Sequence, residues 1–124
     1  MQKTPKEAGL TRQQMFDIMV RHLRKQRACF SNNKGMCLYL DANGRKCAVG
    51  ALIPNGHPAQ RSLGDVDNLI LNHRKLFKAK DAGFLYTCQR ELHDKFANLE
   101  EWSPIKFEVA AIRVAPLYGL KVPE

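Results

Sequence analysis

A chain of 124 residues, 44% of them apolar, has globular composition: it is long enough to bury a core, too short for two domains and too apolar for a disordered tail. No apolar run approaches the roughly 18 residues of a membrane span, and the start Met1-Gln-Lys-Thr-Pro-Lys-Glu lacks a secretory signal's apolar stretch, so a cytoplasmic protein with no membrane partner is expected. The net charge of +8 is unevenly placed, with Lys plus Arg against Asp plus Glu at 10 to 3 over residues 1–50, 5 to 2 over 51–80 and 5 to 7 over 81–124, which favours an anionic partner for the first two thirds.

Residues 1–10 read as a flexible polar lead with Pro5 and Gly9, and 11–124 as a single globular domain. Thr11 is a ready N-cap with Gln14 as its capping-box partner, and Leu10 is placed to staple onto Met15. At about 100° per residue Met15, Phe16, Met19, Val20 and Leu23 share one face, while Asp17, Arg21, Arg24 and Lys25 share the other. This predicts an amphipathic helix to about Ala28, with Asp17 and Arg21 spaced for an i,i+4 ion pair. Ser31 to Gly35 reads as a polar loop.

Asn43-Gly44 supplies residues that tolerate positive φ between two strand-compatible runs, and so predicts a β-hairpin. With the loop at Ala42-Asn43-Gly44, Asp41 faces Arg45, Tyr39 pairs with Cys47 and Cys37 with Val49. Cys47 to Ile53 is then either a continuing strand or one or two helical turns ended by Pro54. After an irregular connection over Asn55 to Gly64, Asp65 can cap a helix carrying Val66, Leu69, Ile70, His73 and Phe77. Gly83 breaks the chain before another helix, whose stripe is Leu85, Cys88, Leu92, Phe96 and Leu99. Ser103-Pro104 is an N-cap with a first-turn proline, opening a helix to about residue 115 that Pro116 stops. The alternation Ile105, Phe107, Val109 would also suit a strand, but Val109 and Ile112 continue at helical spacing. The expected fold is mainly α with a small antiparallel β-hairpin, an α+β arrangement of about four helices around one core.

Three constellations could carry chemistry. A cysteine nucleophile needs a lowered pKa and a nearby base, which Cys47 would have at a helix N-terminus with His93 or His57 in reach. Neighbours on a helix diverge by about 100°, so Asp94 is poorly placed to orient His93, and a small packed residue beneath the hairpin is the plainer role for Cys47. Cys29 and Cys88 read as apolar fillers, and free thiols are the default without a secretory signal. A tetrahedral zinc site from Cys37, Cys47, His22 and His93 is the second possibility; the C-x9-C spacing is not a knuckle, and no cofactor is expected. The third is the basic surface: Arg21, Arg24, Lys25 and Arg27 end the first helix, Arg45 and Lys46 leave the turn, and Arg74, Lys75, Lys78 and Lys80 end another helix. The helix macrodipole explains some cations at helix C-termini but not three clusters, which would offer sequence-independent phosphate affinity. A helix-turn-helix reading of residues 65–99 is disfavoured, because Glu91, Asp94 and Glu100 make its second helix too acidic for base reading. No nucleotide loop, paired-carboxylate motif or G-x-S-x-G elbow is present.

The pattern C-x-Y-x4-G-x2-C-A-V-G-x-L-I-P, over Cys37 to Pro54, resembles a family of small proteins of tailed phages and prophages. Phe16 to Leu23 (F-x5-H-L) followed by Gln26, then Leu92-His93-Asp94, and finally Trp102 with Ile112-Arg-Val-Ala115 and Tyr118-Gly-Leu120 extend the likeness over roughly residues 12–120. In that family an acidic residue and a tyrosine follow the Ile-Pro, where this chain reads Asn55-Gly56-His57-Pro58. The resemblance implies an accessory protein that acts by binding, a host-takeover or anti-defence modulator, on a host or phage protein or a nucleic acid with an anionic surface.

Overall fold

In the computed structural model of the chain, which describes residues 10–27, 39–62, 65–98 and 101–124, the capping box at Thr11 forms reciprocally. Thr11 Oγ1 accepts from the Gln14 N–H at 3.1 Å, and Gln14 Oε1 accepts from the Thr11 N–H at 2.9 Å. Helix α1 then runs Arg12–Gln26, burying Met15, Phe16, Met19, Val20 and Leu23 as the periodicity requires. It ends where Arg27 turns left-handed at φ 59° and returns its N–H to the Leu23 carbonyl. Asp17 does not pair with Arg21 as expected; its carboxylate accepts from Gln13 Nε2 at 2.7 Å, one turn earlier.

The expected β-hairpin is absent: among the described residues there is no β-strand. The turn itself forms, with Gly44 at φ 80° and the Asp41 N–H donating to the Arg45 carbonyl at 2.9 Å. Asp41 also accepts from the N–H groups of Asn43 and Arg45 at 2.9 and 2.7 Å and pairs with Arg45 Nε at 2.6 Å. Beyond the turn, side-chain amides bind the backbone, and the Val49 N–H that the expected register would pair with Cys37 goes to one of them. Gln26 Nε2 donates to the Lys46 carbonyl and Gln26 Oε1 accepts from the Lys46 N–H, both at 2.9 Å, while Gln89 Oε1 accepts from the Val49 N–H at 2.9 Å. The chain then winds into a 3-10 helix over Val49–Leu52, to which Cys47 contributes a sulfur acceptor for the Gly50 N–H at 3.3 Å. The helical alternative for this segment is the one realised. The proposed pairing of Cys37 with Val49 lies outside the described residues.

Asp65 caps helix α2 (Val66–Asn72), which ends at His73 instead of continuing to Phe77, although Leu76 and Phe77 remain buried. Helix α3 starts at Ala82, so Gly83 lies inside its first turn and does not break the chain. It runs Ala82–Gln89, widens into a π-helical turn over Arg90–Asp94 and resumes over Lys95–Asn98. Ser103 Oγ accepts from the Lys106 N–H at 3.1 Å to open α4 (Pro104–Val114), and Pro116 converts its end into a 3-10 turn over Ala115–Tyr118. Four α-helices among the described residues thus surround one core, in which Phe16, Met19, Val20 and Leu23 meet Tyr39, Cys47, Val49, Leu85, Cys88, Leu92, Phe107 and Ala111.

Two long-range polar clasps hold α1 in place. Near its start Arg12 Nε pairs with the buried Asp81 at 2.8 Å, and its guanidinium lies 5.6 Å from the ring centroids of both Phe84 and Tyr118. Along its outer side the C-terminal segment is bound back: Gln13 Nε2 donates to the Lys121 carbonyl at 2.8 Å, Gln13 Oε1 accepts from the Lys121 N–H at 2.9 Å, and Arg24 Nη1 donates to the Pro123 carbonyl at 2.8 Å. No helix among the described residues is long and apolar enough to cross a membrane.

Candidate binding surface

Two of the three residues singled out for catalysis lie inside the molecule, and the third, His57, is half-buried. Cys47 and His93 are both fully buried. In the π-helical turn the side chains of His93 and Asp94, expected to diverge, meet: His93 Nδ1 lies 2.9 Å from Asp94 Oδ1. A carboxylate only accepts, so Nδ1 carries the proton. The same oxygen accepts from Gln89 Nε2 at 2.8 Å, and Gln89 in turn holds the Val49 N–H. The arrangement is a hydrogen-bonded strut from α3 to the 3-10 segment, and it presents neither nucleophile nor base to solvent. Burial also pushes the Cys88 thiol far up, which keeps it protonated. His57, the other base considered, caps the short 3-10 helix Pro58–Arg61 through Nδ1, which accepts from the Ala59 N–H at 3.0 Å.

His22 lies near this interior network. Burial lowers its pKa below 6.5, hydrogen bonds to Gln26 and the Lys46 backbone oppose that shift, and the nearby Lys46 and His93 disfavour its charging further. Of the four zinc candidates, Cys37 lies outside the described residues. Among the described residues no group of three or more His, Cys, Asp or Glu side chains converges as a metal site would. The His22 imidazole has a pH consequence. A histidine depressed in the folded state holds fewer protons there than when unfolded, so its stabilising contribution is complete above pH 6.5 and drains away as pH falls below that value. Urea unfolding is expected to show stability declining from pH 6.5 downward, with His22→Gln flattening that limb. A wild-type limb as flat as the variant's would contradict the assignment. Glu108, held down by its bond to Arg24, reports at lower pH, beneath its ordinary 4.5.

The basic residues divide into two groups. Arg24 is a structural tie, its guanidinium bidentate on Glu108 at 2.8 and 2.6 Å and reaching the Pro123 carbonyl. Arg45 is held by Asp41, and Lys46 Nζ donates to Asn55 Oδ1 at 2.7 Å. By contrast Arg21, Lys25, Arg27, Arg74 and Lys75 are exposed, and among the described residues no hydrogen bond or ion pair engages their charged groups. A continuous path of contacts joins the two ends of this set. Gln26, at the end of α1, clasps the backbone of Lys46; Lys46 reaches Asn55; and two residues on, His57 packs edge-on to His73 with ring centroids 5.6 Å apart. There His57, Leu71, His73, Arg74 and Lys75 line a groove of about 390 Å³. A neighbouring groove of about 410 Å³ has Phe77 and Ala82 in its walls and Arg74 and Lys78 at its edge. Charge counting located the clusters, and the turn set Asp41 opposite Arg45; the tie that withdraws Arg24, and the histidine groove, have no local sequence signal.

No known protein family, curated protein or solved structure matches this chain. The assignment of function therefore rests on the geometry of this surface.

Proposed function

We propose that this is a small phage-type accessory protein that acts by binding, as a host-takeover or anti-defence modulator, and that its basic surface engages an anionic partner, either nucleic acid or the acidic face of a host or phage protein. What supports this reading is the set of five exposed cations, Arg21, Lys25, Arg27, Arg74 and Lys75, left without partners among the described residues while other cations of the same clusters are tied down. Solvated cations kept free on one path across a surface lose little on meeting phosphates or carboxylates, and they release counterions when they do. Contact through groups of this kind reads charge and shape and not base sequence.

The test is fluorescence anisotropy of labelled duplex and single-stranded oligonucleotides across a salt series, with affinity capture from expressing cells in parallel. Five phosphate contacts predict a log–log slope near −4.5 on duplex DNA, or about a 500-fold loss of affinity between ~50 and ~200 mM salt. Steep salt dependence shared by unrelated sequences supports nucleic acid. No nucleic-acid binding, together with salt-sensitive capture of an acidic protein, supports the protein partner. Absence of both overturns the proposal and leaves the charge as a solubility feature.

A further inference from the structure

Helix α4 has two apolar faces where one would serve to fold it. Phe107, Ala111 and Val114 point into the core. Ile105, Val109 and Ile112, at i, i+4 and i+7, are 79%, 39% and 60% exposed. At about 100° per residue these three centre on a line roughly opposite the buried stripe, so the second face projects straight away from the body of the molecule. An exposed run of β-branched side chains costs solubility and contributes nothing to this core.

The flanks of that face indicate what covers it. Lys106 and Arg113, both exposed, lie along one edge; Glu108 lies along the other, fixed there by Arg24. In heptad terms Ile105, Val109 and Ile112 occupy d, a and d, Glu108 occupies g, and Arg113 occupies the following e. A two-fold axis parallel to the helix sets Glu108 against Arg113 of the partner subunit, five residues on, and stacks like apolar residues on like. An antiparallel two-fold axis instead brings Lys106 beside Arg113 of the partner subunit, cation against cation. A carboxylate has acceptor sites to spare, so Glu108 can keep Arg24 and receive a second guanidinium.

We propose that α4 is a self-complementary docking face, and that two copies of this chain associate in parallel through Ile105, Val109 and Ile112. Because the core lies on the far side of α4, the two bodies sit outward and do not collide. Eleven helical residues span only about 16 Å, and three apolar side chains from each chain fall short of the ~800 Å² per partner of a standard interface. The dimer is accordingly weak and concentration-dependent.

Sedimentation equilibrium of the full chain from micromolar to millimolar concentration tests this. Reversible dimerisation is expected, weakened at least about 30-fold by Ile112→Lys, which removes apolar burial twice per dimer and adds a charge to each face. Arg113→Glu should weaken it about 5-fold by opposing Glu108 with a like charge. Unchanged circular dichroism and thermal unfolding of both variants exclude misfolding as the cause. For orientation, the Ile105→Cys variant is oxidised and its disulfides are mapped: a link between the substituted positions of the two copies supports parallel docking. A dimer that never forms this link overturns the orientation. A chain that stays monomeric at millimolar concentration, or a dimer indifferent to Ile112→Lys, overturns the proposal.

Discussion

Gly50→Ala is expected to destabilise the domain by at least about 4 kcal/mol, a cost reached only when backbone or core must move. A Cβ at position 50 would sit 2.9 Å from the carbonyl carbon of Tyr39 and closer still to its oxygen, inside the separation that real Cβ atoms keep. Both obstacles are main chain, so no rotamer change relieves them. Tyr39 is itself buried, and Gly50 belongs to the 3-10 turn to which Cys47 and Gln89 are bonded, so displacement on either side spreads into the core. Gly44→Ala is the matched control. Its left-handed φ of 80° carries strain for a side chain, but nothing lies within 4 Å of the new methyl, and a loss of only about 1 kcal/mol is expected. Equilibrium urea unfolding of the two variants makes the comparison, and a Gly50→Ala loss no greater than that of Gly44→Ala would show that the close approach does not constrain the fold.

Reversing Lys25, Arg27 and Lys75 together to Glu is expected to reduce affinity for a polyanion about 500-fold at ~0.1 M salt, since each lost phosphate contact is worth about 0.9 log units there. The three side chains are exposed and hold nothing in place, so the thermal unfolding midpoint should stay near that of the wild type. Arg24→Glu separates the two roles of the basic residues. It removes a bidentate pair with Glu108 and the bond to Pro123, and leaves two carboxylates facing each other; stability should fall whether or not binding changes. Triple-variant binding within a few fold of the wild type would remove this surface from consideration.

Signals written within a few residues of one another were legible in the sequence. Thr11 with Gln14, Asp65, and Ser103 with Pro104 each open a helix where expected, because a cap and its N–H partner lie within one turn. The hairpin misled for the complementary reason. Asn43-Gly44 specifies a turn and nothing beyond it, whereas the backbone that follows is held by Gln26 and Gln89, 20 and 40 residues from the groups they bind. The partner 84 residues away that withdraws Arg24 from the surface is hidden by the same distance, whereas adjacent His93 and Asp94 meet because the π-helical turn departs from the ~100° spacing of a regular helix. The pattern of cysteines, tyrosine and glycines marks packing: within the described residues Tyr39 approaches Gly50, Cys47 bonds it, and Gln26 clasps Lys46.

The clasp of Gln13 on Lys121 joins groups 108 positions apart, and the grip of Arg24 on Pro123 spans 99. An early helix thus depends on a late segment to complete its polar bonding, and the order of events during folding follows from that dependence. Closing so long a loop is entropically slow, so α1 must first be captured by nearer apolar contacts and receive its outer strap as a final step. The strap is correspondingly the first piece expected to release. Peptide hydrogens at Lys121 should exchange well before those of Val49 or Leu23, and the molecule would then open like a buckle, from its end, while the interior stays shut.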